Sequence, residues 1–337
     1  DIMKSILFAS TALIALGSAA QAAEPLTVSV RGYMYAGIGV ADQLGGDSDF
    51  GVMRDGEIHF RVSGASDNGL TFAARVELEA WSQNGDQIDE NWVTVGGDWG
   101  TVKIGSDDHA SYNLATGVIY FMGAHIGAYD AFGEAGSGTS ALSNNRWSDQ
   151  VSISYRTPNL SGFLAEVQYI PSASSDGFGD SNSLVTAANH PGTSDIVSVG
   201  LNYRLEMDAF AFQVSGGYDW ADDFGGNGSE SAFMAGAQFE FSGFVVGGHW
   251  QQAMGNGDTD EYLGNVGYST GPWNFGLQYM YAEVDGASGD ANTFAGWASY
   301  DLAPGVSVGL GAEYSDDSGV IANNEGYAVM GIMGLSF

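Results

Sequence analysis

The chain has 337 residues, with 9 Lys+Arg against 41 Asp+Glu for a net charge of −32, 51 Gly, 6 Pro and no Cys. So large an acidic excess excludes nucleic acid as a partner, because phosphate binding needs clustered cations. The lack of Cys excludes disulfides, thiolate chemistry and Cys-ligated metals, and abundant Gly with scarce Pro suits many strands and turns.

The first predicted element is an export signal. Asp1 and Ile2 precede Met3, followed by Lys4, an apolar run over 6–16 and the small-residue stretch Ala20-Gln21-Ala22. A basic start, an apolar middle and an A-x-A site predict a secretory signal over 1–22, cut before Ala23. Only Asp1 and Lys4 among the charged residues go with it, so the 23–337 domain keeps the net charge of −32. Beyond the signal no uninterrupted apolar run reaches the roughly 20 residues that a spanning helix needs.

From Leu26 onward apolar side chains fall on alternate positions, as in Val306, Val308, Leu310, Ala312 and Tyr314 against Ser307, Gly309, Gly311 and Glu313. A strand has a side-chain period of two, so each segment carries one apolar and one polar face. The segments lie at about 26–40, 56–66, 70–81, 88–96, 100–106, 148–157, 162–170, 195–204, 208–220, 231–241, 243–253, 260–269, 272–284, 292–301, 305–315 and 326–337. A soluble sandwich alternates in the same way locally. The connections separate the two readings, because short turns such as Ser66–Gly69, Thr270-Gly271 and Ala303-Pro304 alternate with long polar loops. Turns on one rim, loops on the other and an even strand count predict an all-β fold, a 16-stranded antiparallel transmembrane β-barrel whose closure leaves no edge in lipid. The apolar parity carries Tyr155, Tyr203, Trp220, Trp273, Tyr279 and Tyr314 near strand ends, as interfacial girdles require, whereas Trp92 and Trp297 fall on the other parity.

The cations say which parity is wet. Arg31, Arg61, Arg75, Lys103, Arg156 and Arg204 all sit on the polar parity, and 205–337 contains neither Lys nor Arg. An Arg facing mid-bilayer costs about 2–4 kcal/mol, so these residues face water, and a barrel of this size leaves an aqueous channel. The positive wall is therefore expected from Arg31, Arg61, Arg75 and Lys103. The alternative is that the arginines only pair with Glu57, Glu77 and Glu79.

One connection, 107–147, contains no alternating segment and is rich in Gly, Ala and aromatics. A loop of that length is usually functional or disordered, and its composition disfavours disorder. It is expected to fold into the barrel and set its acids Asp107, Asp108, Asp130 and Glu134 against the arginine wall. An ordinary surface lid is the alternative.

Several stretches are similar in detail to one family. They are Leu26–Tyr33, Ile58–Gly64, Asp67–Phe72, Val95–Gly105 and the terminal Gly334-Leu335-Ser336-Phe337. They resemble the opening, the turn and strand before the constriction loop, and the last strand of alphaproteobacterial general porins. The resemblance implies a trimeric diffusion pore in the bacterial outer membrane with its third loop folded inward. It also implies wall arginines at Arg31, Arg61 and Arg75, loop acids among those named above, and recognition of Phe337 by the barrel-assembly machinery.

Other chemistry finds little support. Lys103 sits in a strand and forms no phosphate loop, no G-x-S-x-G elbow exists, and His59, His109, His125, His190 and His249 lack zinc spacing. An outer-membrane β-barrel hydrolase using His59 or His249 is the rival reading. No cofactor is required. Loop acids including Asp222, Asp223, Asp258 and Asp260 are hard ligands suited to weak Ca²⁺ or Mg²⁺ binding beside lipopolysaccharide. The expectation is a non-enzymatic homotrimeric porin that passes small hydrophilic solutes, with mild cation preference.

Overall fold

The computed structural model describes residues 26–42, 49–80, 87–119, 122, 147–173, 185–186, 192–223, 228–254, 258–287, 289–316 and 325–337. The expected signal at 1–22 and the loop acids Asp130 and Glu134 lie outside the described residues.

Sixteen antiparallel strands run in chain order: β1 (Thr27–Asp42), β2 (Asp49–Ala65), β3 (Thr71–Glu79), β4 (Ile88–Gly97), β5 (Gly100–Asp107), β6 (Gln150–Arg156), β7 (Phe163–Ser172) and β8 (Ser194–Met207). The second half is β9 (Phe210–Asp223), β10 (Glu230–Phe241), β11 (Phe244–Met254), β12 (Thr259–Thr270), β13 (Trp273–Val284), β14 (Asp290–Ala303), β15 (Val306–Asp316) and β16 (Glu325–Ser336). Each strand pairs with its sequence neighbours, and β16 closes on β1. That seam runs from Tyr33 opposite Ser336 to Asp42 opposite Tyr327. It is sealed at one end by Gly32 and Phe337, whose backbone N–H groups each donate to the other's carbonyl at 2.9 and 3.0 Å. A closed ladder leaves no unpaired edge, which a hydrocarbon environment demands.

The alternation places side chains as the sequence implies. Leu277 is 63% exposed on the outer surface, while its inward neighbour Gln278 is buried. Outward Phe294, Leu310 and Tyr314 contrast in the same way with inward Thr293, Glu313 and Ser315. An apolar surface wrapping the whole wall has no place in water, and it matches the lipid-facing band of a membrane barrel. Trp297 packs inside against Ala328 and Met330, and Trp92 lies inward with the Lys103 ammonium 5.8 Å from its ring, so the parity of both tryptophans is real.

Turn chemistry fixes the short rim. Ser242 and Gly243 adopt φ of 47° and 83°, the two left-handed residues of a type I′ hairpin, and Phe241 pairs directly with Phe244. Gly243 therefore belongs to the turn rather than to β11. A larger difference lies in β2, which starts at Asp49 instead of residue 56. The stretch 49–55, with Arg54-Asp55, reads in sequence as loop before the strand at 56–66, yet the long partner β1 pairs it through to Ala41 opposite Asp49.

Candidate functional site

The inner wall of β1–β3 carries a compact charge network. Register sets Arg61 of β2 directly opposite Arg75 of β3, His59 opposite Glu77, and Arg31 of β1 opposite His59. Tyr33 donates its hydroxyl to Glu57 Oε1 at 2.8 Å, and His59 Nε2 lies 2.6 Å from Glu57 Oε2. His59 Nδ1 lies 3.4 Å from an Nη2 of both Arg61 and Arg75, and 3.3 Å from Glu77 Oε1. Arg75 also pairs with Glu77, and its Nη1 is 3.5 Å from Glu90. Arg31 is exposed and makes no ion pair among the described residues.

Farther round the wall, charges pair more completely. Lys103 of β5 binds Asp107 and lies 3.9 Å from Glu166 of β7. Glu166 also accepts from Ser154 Oγ at 2.8 Å and from Arg156 Nε at 2.7 Å. At the rim Arg204 of β8 meets Glu206 and Glu240, both at 2.8 Å.

The described part of the third loop crosses the inside of the opposite wall. After β5 a single helical turn, α1 (Ala110–Asn113), rests on β8 and β9. Ser111 Oγ donates to Asp219 Oδ2 at 2.6 Å, and its backbone N–H donates to Ser198 Oγ at 3.0 Å. Beyond α1, wall side chains grip the loop backbone in succession. Asn202 donates to the Leu114 carbonyl at 2.9 Å, and Ser215 accepts from the Thr116 N–H at 2.9 Å. His249 meets the Thr116 carbonyl at 3.1 Å, and Asn265 donates to the Gly117 carbonyl at 2.6 Å.

The contact is close because inward positions of the wall are glycine. A Cβ at Gly200 would stand 2.1 Å from the Ala110 carbonyl oxygen, and one at Gly236 would stand 1.9 Å from that of Thr116. Gly117 itself, at φ 98°, lies against the Gly248 carbonyl. Val118 then packs on Leu263 and Met280, and Ile119 and Met122 pack on the Trp297, Met330 and Ile332 cluster.

The expected cations Arg31, Arg61, Arg75 and Lys103 thus come together on one arc of the inner wall, β1–β5. Asp107 differs from expectation. It ends β5 and is bound by Lys103 and by Asn113 Nδ2 at 3.2 Å, so it neutralises its own wall instead of facing it. Asp108 is half-buried at the loop's root, where its carbonyl accepts from Asn113 at 2.8 Å. Sequence reasoning misses the loop seat entirely. Its signal is present nonetheless: inward-parity Gly, Ser and Asn recur on β8, β9, β10 and β12 at Ser198, Gly200, Asn202, Ser215, Gly236 and Asn265.

Of the rim acids, Asp222 is exposed, and Asp260 accepts from Trp250 Nε1 at 3.1 Å and Gln252 Nε2 at 3.0 Å. Among the described residues, the ligand sets compact enough for a metal lie on the inner wall instead. One is Glu57, His59 and Glu77, a set that Arg75 enters through its ion pair with Glu77 and that Arg61 approaches through the imidazole. The other is the carboxylate trio Glu57, Glu79 and Asp89. The hydrolase candidates are also accounted for. His59 is held between a carboxylate and guanidiniums, and His249 is buried beneath the loop. A Ser111, His109 and Asp219 grouping exists, but Ser111 Oγ and Asp219 Oδ1 both approach His109 through Nδ1, at 2.8 and 3.5 Å. In a hydrolytic triad the imidazole bridges nucleophile and acid through its two different nitrogens. All three residues are sealed from solvent.

Known proteins agree with this architecture. An anion-selective porin from Comamonas acidovorans aligns with TM-score 0.69 at 18% identity, covering 93% of this chain and 100% of that one. OmpF of Salmonella typhi, in complex with daunomycin, gives 0.64 at 13% identity over 92% and 97% of the two chains. The trimer form of OmpT, an outer membrane protein of Vibrio cholerae, gives 0.62 at 14% identity over 92% and 100%. No curated protein matches the chain in sequence. At such identities the structural likeness speaks for the fold. The Gram-negative porin family profile, however, matches residues 9–320, nearly the whole length. The chain belongs to the Gram-negative porin family, and its barrel is a diffusion channel of the bacterial outer membrane.

Proposed function

We propose that this porin works as a homotrimer and sorts small hydrophilic solutes and ions by size and by a transverse field, with no chemistry of its own. The observation that carries the reading is the division of the inner wall. Incompletely paired cations stand on β1–β3, and the third loop is held against β8–β12. A solute passing between them meets fixed charge on one side and a fixed loop on the other.

Inward carboxylates outnumber the cations, which favours mild cation preference. Reversal potentials across planar bilayers in a salt gradient test it, and clear anion preference would overturn it. Replacing Arg75 with Gln should move the ratio further toward cations.

The outer surface supports association of copies. Exposed large apolar residues within the strands β1–β5 are Val, Ile and Phe, among them Val30, Val52, Phe72 and Ile104, and the one exposed Tyr or Trp on this arc among the described residues is Trp99 in the β4–β5 turn. The exposed strand tyrosines and tryptophans, such as Tyr155, Tyr203, Trp273 and Tyr314, belong to β6–β16. Interfacial aromatics mark a lipid boundary, so the smooth face suits another protein copy. Crosslinking at β1–β5 should trap trimers in detergent, and a monomeric profile would remove this part of the reading. Export by the 1–22 signal, capture of Phe337 by the barrel-assembly machinery and weak Ca²⁺ or Mg²⁺ bridging from rim acids Asp222, Asp223, Asp258 and Asp260 to lipopolysaccharide complete the proposal.

A further inference from the structure

The most unusual chemistry on the inner wall is two arginines set directly opposite each other. Arg61 and Arg75 are cross-strand partners, an arrangement that like charges make unfavourable. The Nε of each is buried without a hydrogen-bond partner. Something must hold them side by side, and the group between them is an imidazole. A guanidinium can only donate, so the His59 nitrogen lying 3.4 Å from both Nη2 atoms serves both arginines only as an acceptor. That places the ring proton on Nε2, which donates to Glu57 at 2.6 Å.

We propose that His59 is a positioning residue for selectivity: its Nδ1 lone pair holds Arg61 beside Arg75 at the lumen surface and keeps Arg61 from collapsing onto the wall's own carboxylates. Those carboxylates are close. Glu57 and Glu77 flank the ring, and Arg75 already shares Glu77. Take the imidazole away, and the nearest acceptors for a loose guanidinium are these two glutamates, so positive charge leaves the lumen surface.

The inference rests on the proposed selectivity of this wall, and the experiment separates the two. Cation-to-anion permeability ratios are measured in planar bilayers for the full protein and for His59→Leu, His59→Asn and Arg75→Gln. His59→Leu should raise the ratio by up to about fivefold, the scale of one unit charge met at about 4 Å in water. His59→Asn keeps a short-range acceptor and should stay near the unsubstituted protein. If Arg75→Gln shifts the ratio while His59→Leu does not, or if His59→Asn shifts it as far as His59→Leu, the positioning role is wrong. If Arg75→Gln also leaves the ratio unchanged, the selective wall falls and this role falls with it. Should His59→Leu fail to fold, His59→Ala, which also removes the acceptor, makes the same comparison with His59→Asn.

Discussion

The two halves of the inner wall solve different problems with the same strand pattern. On β1–β8 the inward parity is charged, and every strand cation on it has been bent toward a carboxylate or an imidazole, except the exposed Arg31. On β9–β16 the inward parity has no Lys or Arg at all. There Gly, Ser, Asn and a buried His present short groups, and a loop backbone lies directly on them. The difference teaches that one half carries the field while the other carries the obstacle. Selectivity and conductance should therefore be separable by mutation.

The largest effect is expected from removing the obstacle. Trimming 112–140 should enlarge single-channel conductance, and unchanged conductance would mean that the loop does not narrow the path. Next comes the parity itself. Leu277→Arg, on the outer face, should cost about 2–4 kcal/mol of barrel stability in lipid, while Gln278→Arg beside it, facing water, should cost far less. Equal costs in a denaturant titration would contradict the assignment of lipid and lumen faces.

A subtler break of the loop half is Gly236→Val. Its Cβ cannot coexist with the Thr116 carbonyl, and overpacking of this kind costs about 1–3 kcal/mol. Conductance should change and the permeability ratio should keep its sign. Arg75→Gln should do the reverse. Ser111→Ala removes a hydrogen bond to the buried Asp219 carboxylate, worth about 1.5–3 kcal/mol, and hydrogen exchange in α1 should report the loosened loop. The smallest effect belongs to Arg204→Gln. That residue is half-exposed at the rim, where such pairs contribute about 0–1 kcal/mol, and neither conductance nor ratio should move much.

How much of this is legible in the sequence depends on the range of the interaction. Strand number, face and the wetness of one parity are local, period-two properties, so Arg61, Arg75 and Lys103 announce themselves within five residues of context. Register is not local. That Arg61 stands opposite Arg75, with His59 between them, follows from the offset of β2 on β3, and no pattern within either strand states it. The loop seat fails for a different reason. Glycine inside a strand usually signals weakness or a bulge, and at Gly200 and Gly236 it signals a visitor that arrives from about 90 and 120 residues away. Asp107 was legible as an acid near the constriction but not as the partner of Lys103, because the end of β5 is set by pairing with Gln150.

The seat on the glycine track has one more consequence. The wall holds the third loop mainly by its main-chain carbonyls and amides, at Leu114, Thr116 and Gly117, and by the absence of side chains beneath them. Every amino acid except proline offers the same amide, and all offer the same carbonyl. The loop's position is thus nearly independent of which side chains it turns toward the water. A channel built this way can have its filter rewritten one residue at a time while the frame that aims it stays in place.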